Sequence, residues 1–163
     1  MISSRFPSPL DSLASVAAHT AWPAQLDGEP EIVRRVLSPD LISCGVAREF
    51  THRTLTQWNL LALHDDTALI ASELVTNALR HASPPSAGSA ARRPPQLVLI
   101  RHPRWLLAAV TDSSEQGPTV REPDYFAESG RGLHLIEALS DEWGWTPLAT
   151  GGKVVWATLA TVA

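Results

Sequence analysis

The order of elements legible in the sequence predicts an α+β fold, a two-layer α/β sandwich whose mixed, mostly antiparallel sheet carries helices on one face. Three observations predict it. Two helical patterns fill the first half of the chain, two strand–turn–strand patterns follow, and a third helix stands between those hairpins behind a long polar connection. At 163 residues, the chain has the length of one domain and can bury well over half of its unfolded surface.

Each element has a local reason. Residues 1–25 mix Ser, Pro and Ala without periodicity and are expected to be a flexible tail, leaving 26–163 as the single domain. β-branched residues cluster from Glu31 to Leu37, the first ordered segment. Ser38-Pro39-Asp40 reads as a turn into a helix. From Leu41 to Trp58, the apolar residues Leu41, Val46, Phe50, Leu55 and Trp58 recur at helical spacing, which turns Arg48, Glu49, Arg53 and Gln57 outward. Asp65 and Asp66 stand where an N-cap and a first-turn acid are wanted, and an unbroken helical run continues from Thr67 to His81. On it Ile70, Ala71, Leu74, Val75, Ala78 and Leu79 form one apolar arc, with Glu73, Asn77, Arg80 and His81 on the other side. Ser83-Pro84-Pro85 ends it, because proline cannot continue a helix.

Residues 83–95 form a loop of Ser, Ala, Pro and Arg. Gln96 to His102 and Trp105 to Thr111 then read as a hairpin about His102-Pro103-Arg104, delivering Asp112 to the end of a buried strand. The connection 113–129 is longer than a compact domain keeps without a function. Gly130-Arg131-Gly132 opens a helix from Leu133 to Leu139. Trp143 to Thr146 and Lys153 to Leu159 close the chain as a second hairpin. In such a sheet, the face away from the helices can be open to solvent.

Composition narrows the function classes. Thirteen Lys and Arg against 17 Asp and Glu give a net charge of −4, without the basic stripe of a nucleic-acid binder. A hydrophobic fraction of 44% with 18% charged residues argues against disorder. No stretch reaches the roughly 18 apolar residues of a membrane span, and the N-terminus lacks a secretion signal. The single cysteine, Cys44, excludes an intrachain disulfide and a multi-cysteine zinc site. A cytoplasmic, soluble protein is the expectation.

Three motifs carry chemistry. Glu73 and Asn77 are four residues apart, so they project from neighbouring points of one helix face. An amide oxygen there is a hard ligand suited to Mg²⁺, and the carboxylate can orient or deprotonate a hydroxyl. Asp112, at a strand end, can accept from an exocyclic amine such as that of adenine. Gly130-Arg131-Gly132 lets main-chain N–H groups approach a phosphate at a helix N-terminus, with Arg131 adding a charge-assisted bond. Each motif alone also has a plain structural reading: a solvated helix face, a turn aspartate, a flexible turn.

Their order makes them more specific. Glu-Leu-Val-Thr-Asn-Ala-Leu-Arg-His-Ala, then Val-Thr-Asp-Ser-Ser, Gly-Arg-Gly-Leu-His-Leu-Ile and Gly-Gly-Lys-Val-Val-Trp closely resemble the GHKL ATP-binding (Bergerat-type) fold of gyrase, heat-shock chaperones, histidine kinases and MutL. The nearest branch is similar to the anti-sigma factor serine/threonine kinases of actinomycetes. The resemblance covers about Leu41 to Leu159. It implies ATP and Mg²⁺ as cofactors, Asn77 as the Mg²⁺ ligand and Glu73 as the general base. It further implies Asp112 at the adenine amine, Gly130, Arg131, Gly132 and Leu133 at the phosphates, and 113–129 as a lid. Implied partners are a sigma factor and an anti-anti-sigma (STAS-type) protein phosphorylated on serine, with homodimerisation left open. A non-catalytic module that sequesters a partner is the alternative.

Three departures from the family pattern stand out. Ser113-Ser114-Glu115-Gln116-Gly117-Pro118 replaces the glycines that follow the aspartate. Glu128 stands where kinase members carry an arginine near the terminal phosphate, so Arg131 must substitute or transfer is impaired. Lys153 replaces a common threonine and is expected to be a solvated hairpin lysine, contact with phosphate being the alternative.

Other residues have simpler accounts. His64-Asp65-Asp66 is a helix start rather than a metal cluster, since adjacent residues do not face one another. His81 lines the site edge, and Arg92 and Arg93 are solvated. The tryptophans in strands are core or sheet-surface residues, with Trp145 and Trp156 as a candidate cross-strand pair. Cys44 is a small buried hydrophobe.

Overall fold

The computed structural model describes residues 31–80, 93–114, 117–118, 131–148 and 151–161. The expected tail, most of the lid, His81, Arg92, Glu128 and Gly130 therefore lie outside the described residues. The element order is β1 (Glu31–Val36), α1 (Ile42–Gln57), a single 3₁₀ turn (Leu61–Leu63), α2 (His64–Arg80), β2 (Gln96–Arg101), β3 (Trp105–Asp112), α3 (Arg131–Leu139), β4 (Glu142–Pro147) and β5 (Lys153–Ala160). The strands form one sheet in the order β1-β2-β3-β5-β4, and every pairing among them is antiparallel. The α+β prediction holds, with no parallel pair among the described strands.

α1 starts where Asp40 Oδ1 accepts from Ile42 N at 3.0 Å, the Asx-type turn that Ser38-Pro39-Asp40 predicts. Arg48, Glu49, Arg53 and Gln57 are exposed, as the spacing requires. The buried side is less apolar than expected, being Ser43, Ala47, Thr51, Thr54 and Leu55. Small residues there let α1 lie close to α2, and Thr51 satisfies its hydroxyl on Ala47 O at 2.8 Å. Leu41, by contrast, is exposed.

α2 is the central helix, packed against α1, α3, β3 and β5. It begins at His64, so Asp65 and Asp66 both lie in its first turn rather than one of them serving as N-cap. Its inner face buries Ile70, Ala71, Leu74, Val75 and Ala78. Each large side chain among them contributes about 1.5–3 kcal/mol by burial, against typically ~1 kcal/mol for a helix cap. Packing therefore fixes the outward angle of Glu73 and Asn77. His64 bonds His52, Nδ1 to Nδ1 at 3.3 Å, and Thr56 Oγ1 through Nε2 at 3.1 Å, tying the start of α2 to the end of α1.

Alternation along the strands divides two cores. Leu97, Leu99, Leu106, Ala108, Val110, Val155, Ala157 and Leu159 face the helices with Leu55, Ile70, Leu74 and Ile136. Val98, Ile100, Leu107, Ala109, Val154 and Trp156 form a second buried cluster on the opposite face. The face that can be open is buried instead: β2, β3 and β5 are apolar at odd and even positions alike, the pattern of strands buried on both sides. The β2–β3 turn is closed by His102, whose ring stacks on Trp105 with centroids 4.4 Å apart and whose Nδ1 accepts from Arg104 N at 3.2 Å. Burial, and next the Arg104 charge, hold its pKa below the ordinary histidine value.

Trp145 and Trp156 are not a pair. Trp156 stands opposite Gly144, where a Cβ would lie 2.8 Å from the indole, and Trp145 stands opposite Val155. A shift of one residue in register sends the two rings to opposite faces. No helix among the described residues is long and apolar enough to cross a membrane.

Candidate functional site

Glu73 and Asn77 sit one turn apart on the half-buried flank of α2. The start of α3 is brought against them. A Cβ built on Gly132 would lie 2.6 Å from Glu73 Oε2 and 3.5 Å from Asn77 Oδ1. Any larger residue would push into the carboxylate, so glycine at 132 is what allows the helix N-terminus and the carboxylate–amide pair to occupy one place. Leu133 and Ile136 anchor this end of α3 in the main core. The Leu133 side chain is thus a packing residue, and only its main chain is available to a ligand.

Asp112 and Lys153 form the second part of the site. They are direct partners in the β3–β5 register. By alternation both fall on the helix-facing side, Asp112 in step with Val110 and Lys153 in step with Val155. Lys153 Nζ donates to Asp112 Oδ1 at 2.9 Å, with side-chain exposures of 4% and 6%. The same oxygen accepts from Ser114 N at 2.8 Å. This overturns the expectation of a solvated lysine. A long side chain at the mouth of a hairpin normally stays in water, but here a buried carboxylate directly across the ladder draws it inward.

Gly152 completes this corner. Its φ of +79° is in the left-handed region, and a Cβ would collide with the Asp112 carbonyl oxygen and lie 3.0 Å from Ser113 Cα. The last motif therefore presses on the residues that follow β3, so Gly151-Gly152-Lys153 and Asp112-Ser113-Ser114 form one unit. Farther along the connection, Gly117 lies against the benzo ring of Trp145, with a Cβ there 2.8 Å from Cη2.

Of the residues singled out in the sequence, Glu73, Asn77 and Gly132 are brought together, and Asp112 lies at the sheet end facing the helix layer. The side chain of Arg131 is outside the described structure. The roles of Lys153 and Gly152 depend on β3 pairing with β5, and nothing in either strand alone signals that.

The family model of the histidine kinase-like ATPase domain matches residues 37–159. The chain belongs to this family, whose domains bind ATP, usually with Mg²⁺. Comparison with curated proteins gives no match. The structure suits such a ligand on its own terms. The cradle at Gly132 admits main-chain N–H groups to an anion, and Asn77 supplies the oxygen donor that Mg²⁺ takes.

Proposed function

We propose that the protein is an anti-sigma-type regulator that binds Mg·ATP and phosphorylates a serine or threonine on an anti-anti-sigma partner. The observation that carries this reading is the close approach of Gly132 to Glu73 and Asn77. A helix N-terminus, an amide oxygen and a carboxylate meet there, which supports a reading in which the first attracts phosphate, the second ligates the metal and the third acts as base. Phosphoryl transfer asks for little else, since it depends on positioning and on stabilising charge at the transferred group.

In this reading Asn77 Oδ1 holds Mg²⁺, and the first turn of α3 receives phosphate oxygens on its N–H groups. Arg131 adds its charge there. When bound, Mg²⁺ neutralises charge on the phosphates. Glu73 accepts the proton of the acceptor hydroxyl. Asp112 receives the amine of the base at the far end. A sigma factor is the second partner, and phosphorylation of the anti-anti-sigma protein switches which of the two is bound.

The test is transfer of label from γ-labelled ATP to an anti-anti-sigma protein. Transfer is expected, and Glu73→Gln is expected to slow it about 100-fold or more while ATP still binds. Nucleotide binding with no transfer would instead establish a non-catalytic module that regulates by sequestration.

A further inference from the structure

Lys153 has more donors than partners. An ammonium carries three N–H groups, and the acceptor Lys153 Nζ meets among the described residues is Asp112 Oδ1 alone. Burying a charge is costly even when its counter-charge is at hand, and the remaining donors add to that cost unless something accepts from them. Asp112 does not need the lysine for its orientation, because Ser114 N already holds the same oxygen. A buried cation with unused donors, directly opposite a carboxylate and on the helix-facing side, is suited to a ligand.

We infer that Lys153 reads the base of the nucleotide: it donates an N–H to a ring acceptor while Asp112 accepts from the amine beside it. The inference rests on the nucleotide reading of the site given above. Its chemistry is complementary to one edge of adenine, which sets a donor, the 6-amino group, next to an acceptor, ring N1. The protein sets an acceptor next to a donor, with Asp112 Oδ1 and Lys153 Nζ 2.9 Å apart. A carboxylate offers about four lone-pair sites, so it can serve lysine, main chain and amine together. A charge-assisted bond from Lys153 makes ring N1 a point of discrimination, in addition to the amine read by Asp112.

The test uses the full chain with Mg²⁺ and two ligands that differ by one atom, ADP and 1-deaza-ADP, in which ring N1 is replaced by C–H. Calorimetric titration of the wild-type chain is expected to favour ADP by about tenfold or more, the usual worth of a hydrogen bond to a charged group. In Lys153→Met the preference should fall to within about twofold, because no donor remains to miss the nitrogen. The double variant Asp112→Leu/Lys153→Met removes both buried charges together and brings in no new donor, so the comparison survives if the single variant leaves Asp112 stranded and fails to fold. It should likewise lose the preference for N1.

Equal weakening of both ligands in the folded variants, with their ratio unchanged, overturns the inference and leaves the nucleotide site standing. A wild-type ratio near one overturns it too. Failure of the wild-type chain to bind ADP at all overturns the nucleotide reading itself, and this inference with it.

Discussion

A methyl group at position 132 would lie 2.6 Å from Glu73 Oε2, and that oxygen is the far end of a side chain with several rotatable bonds. The carboxylate can swing aside at small cost, and alanine is the better helix former by roughly 0.5–1 kcal/mol. Gly132→Ala is therefore expected to leave the melting temperature unchanged or slightly raised. Under the proposed kinase reading, displacing Glu73 should nevertheless slow phosphoryl transfer by about tenfold or more. Thermal melting and initial rates on the same preparation check both halves; a large loss of stability would mean that glycine at 132 serves packing. At this scale the sequence is legible where chemistry lies within one helix. Glu73 and Asn77 share a face because they are four residues apart, and no tertiary contact is needed to see it. Lys153 is illegible for the opposite reason. Its partner is 41 residues away in sequence, and their meeting depends on a strand pairing that local pattern does not specify.

The strand-end corner behaves as an element, and its two glycines separate two kinds of constraint. Gly151 (φ +89°) has nothing within 4 Å of a built Cβ, whereas Gly152 (φ +79°) faces the main chain of Asp112 and Ser113. Gly151→Ala should cost only the left-handed backbone penalty, about 1–2 kcal/mol. Gly152→Ala adds a clash with main chain that cannot rotate away, so it should lower the melting temperature by clearly more and perturb Asp112. Paired melting curves decide this, and equal losses would contradict the contact. The elements themselves were largely readable: both hairpins, all three helices and the first ordered segment coincide with observed elements. What pattern missed was the pairing of elements with one another. β2, β3 and β5 are apolar on both faces, whereas hairpin strands with helices grouped apart predict a sheet covered by helices on one. The supposed Trp145–Trp156 pair failed on a one-residue difference in register.

On the scale of the whole molecule, a chain with a net charge of −4 that receives a polyanion must concentrate its attraction at one place. The architecture does so with few parts. The sheet supplies a rigid floor, α2 stands on it with Glu73 and Asn77 facing out, and α3 arrives with its N-terminus against them. The β3–β5 pairing closes the far end with one buried ion pair. The central claim is that these parts make one Mg·nucleotide site, and Asn77 tests it most directly. Its side chain is half-buried on the flank of α2 rather than in the core, so Asn77→Ala should fold normally. Calorimetric titration with ATP in Mg²⁺ should show wild-type binding that falls about 100-fold in the variant, on the order of 2.7 kcal/mol, and that falls comparably when Mg²⁺ is chelated. Unchanged affinity in Asn77→Ala would contradict the account.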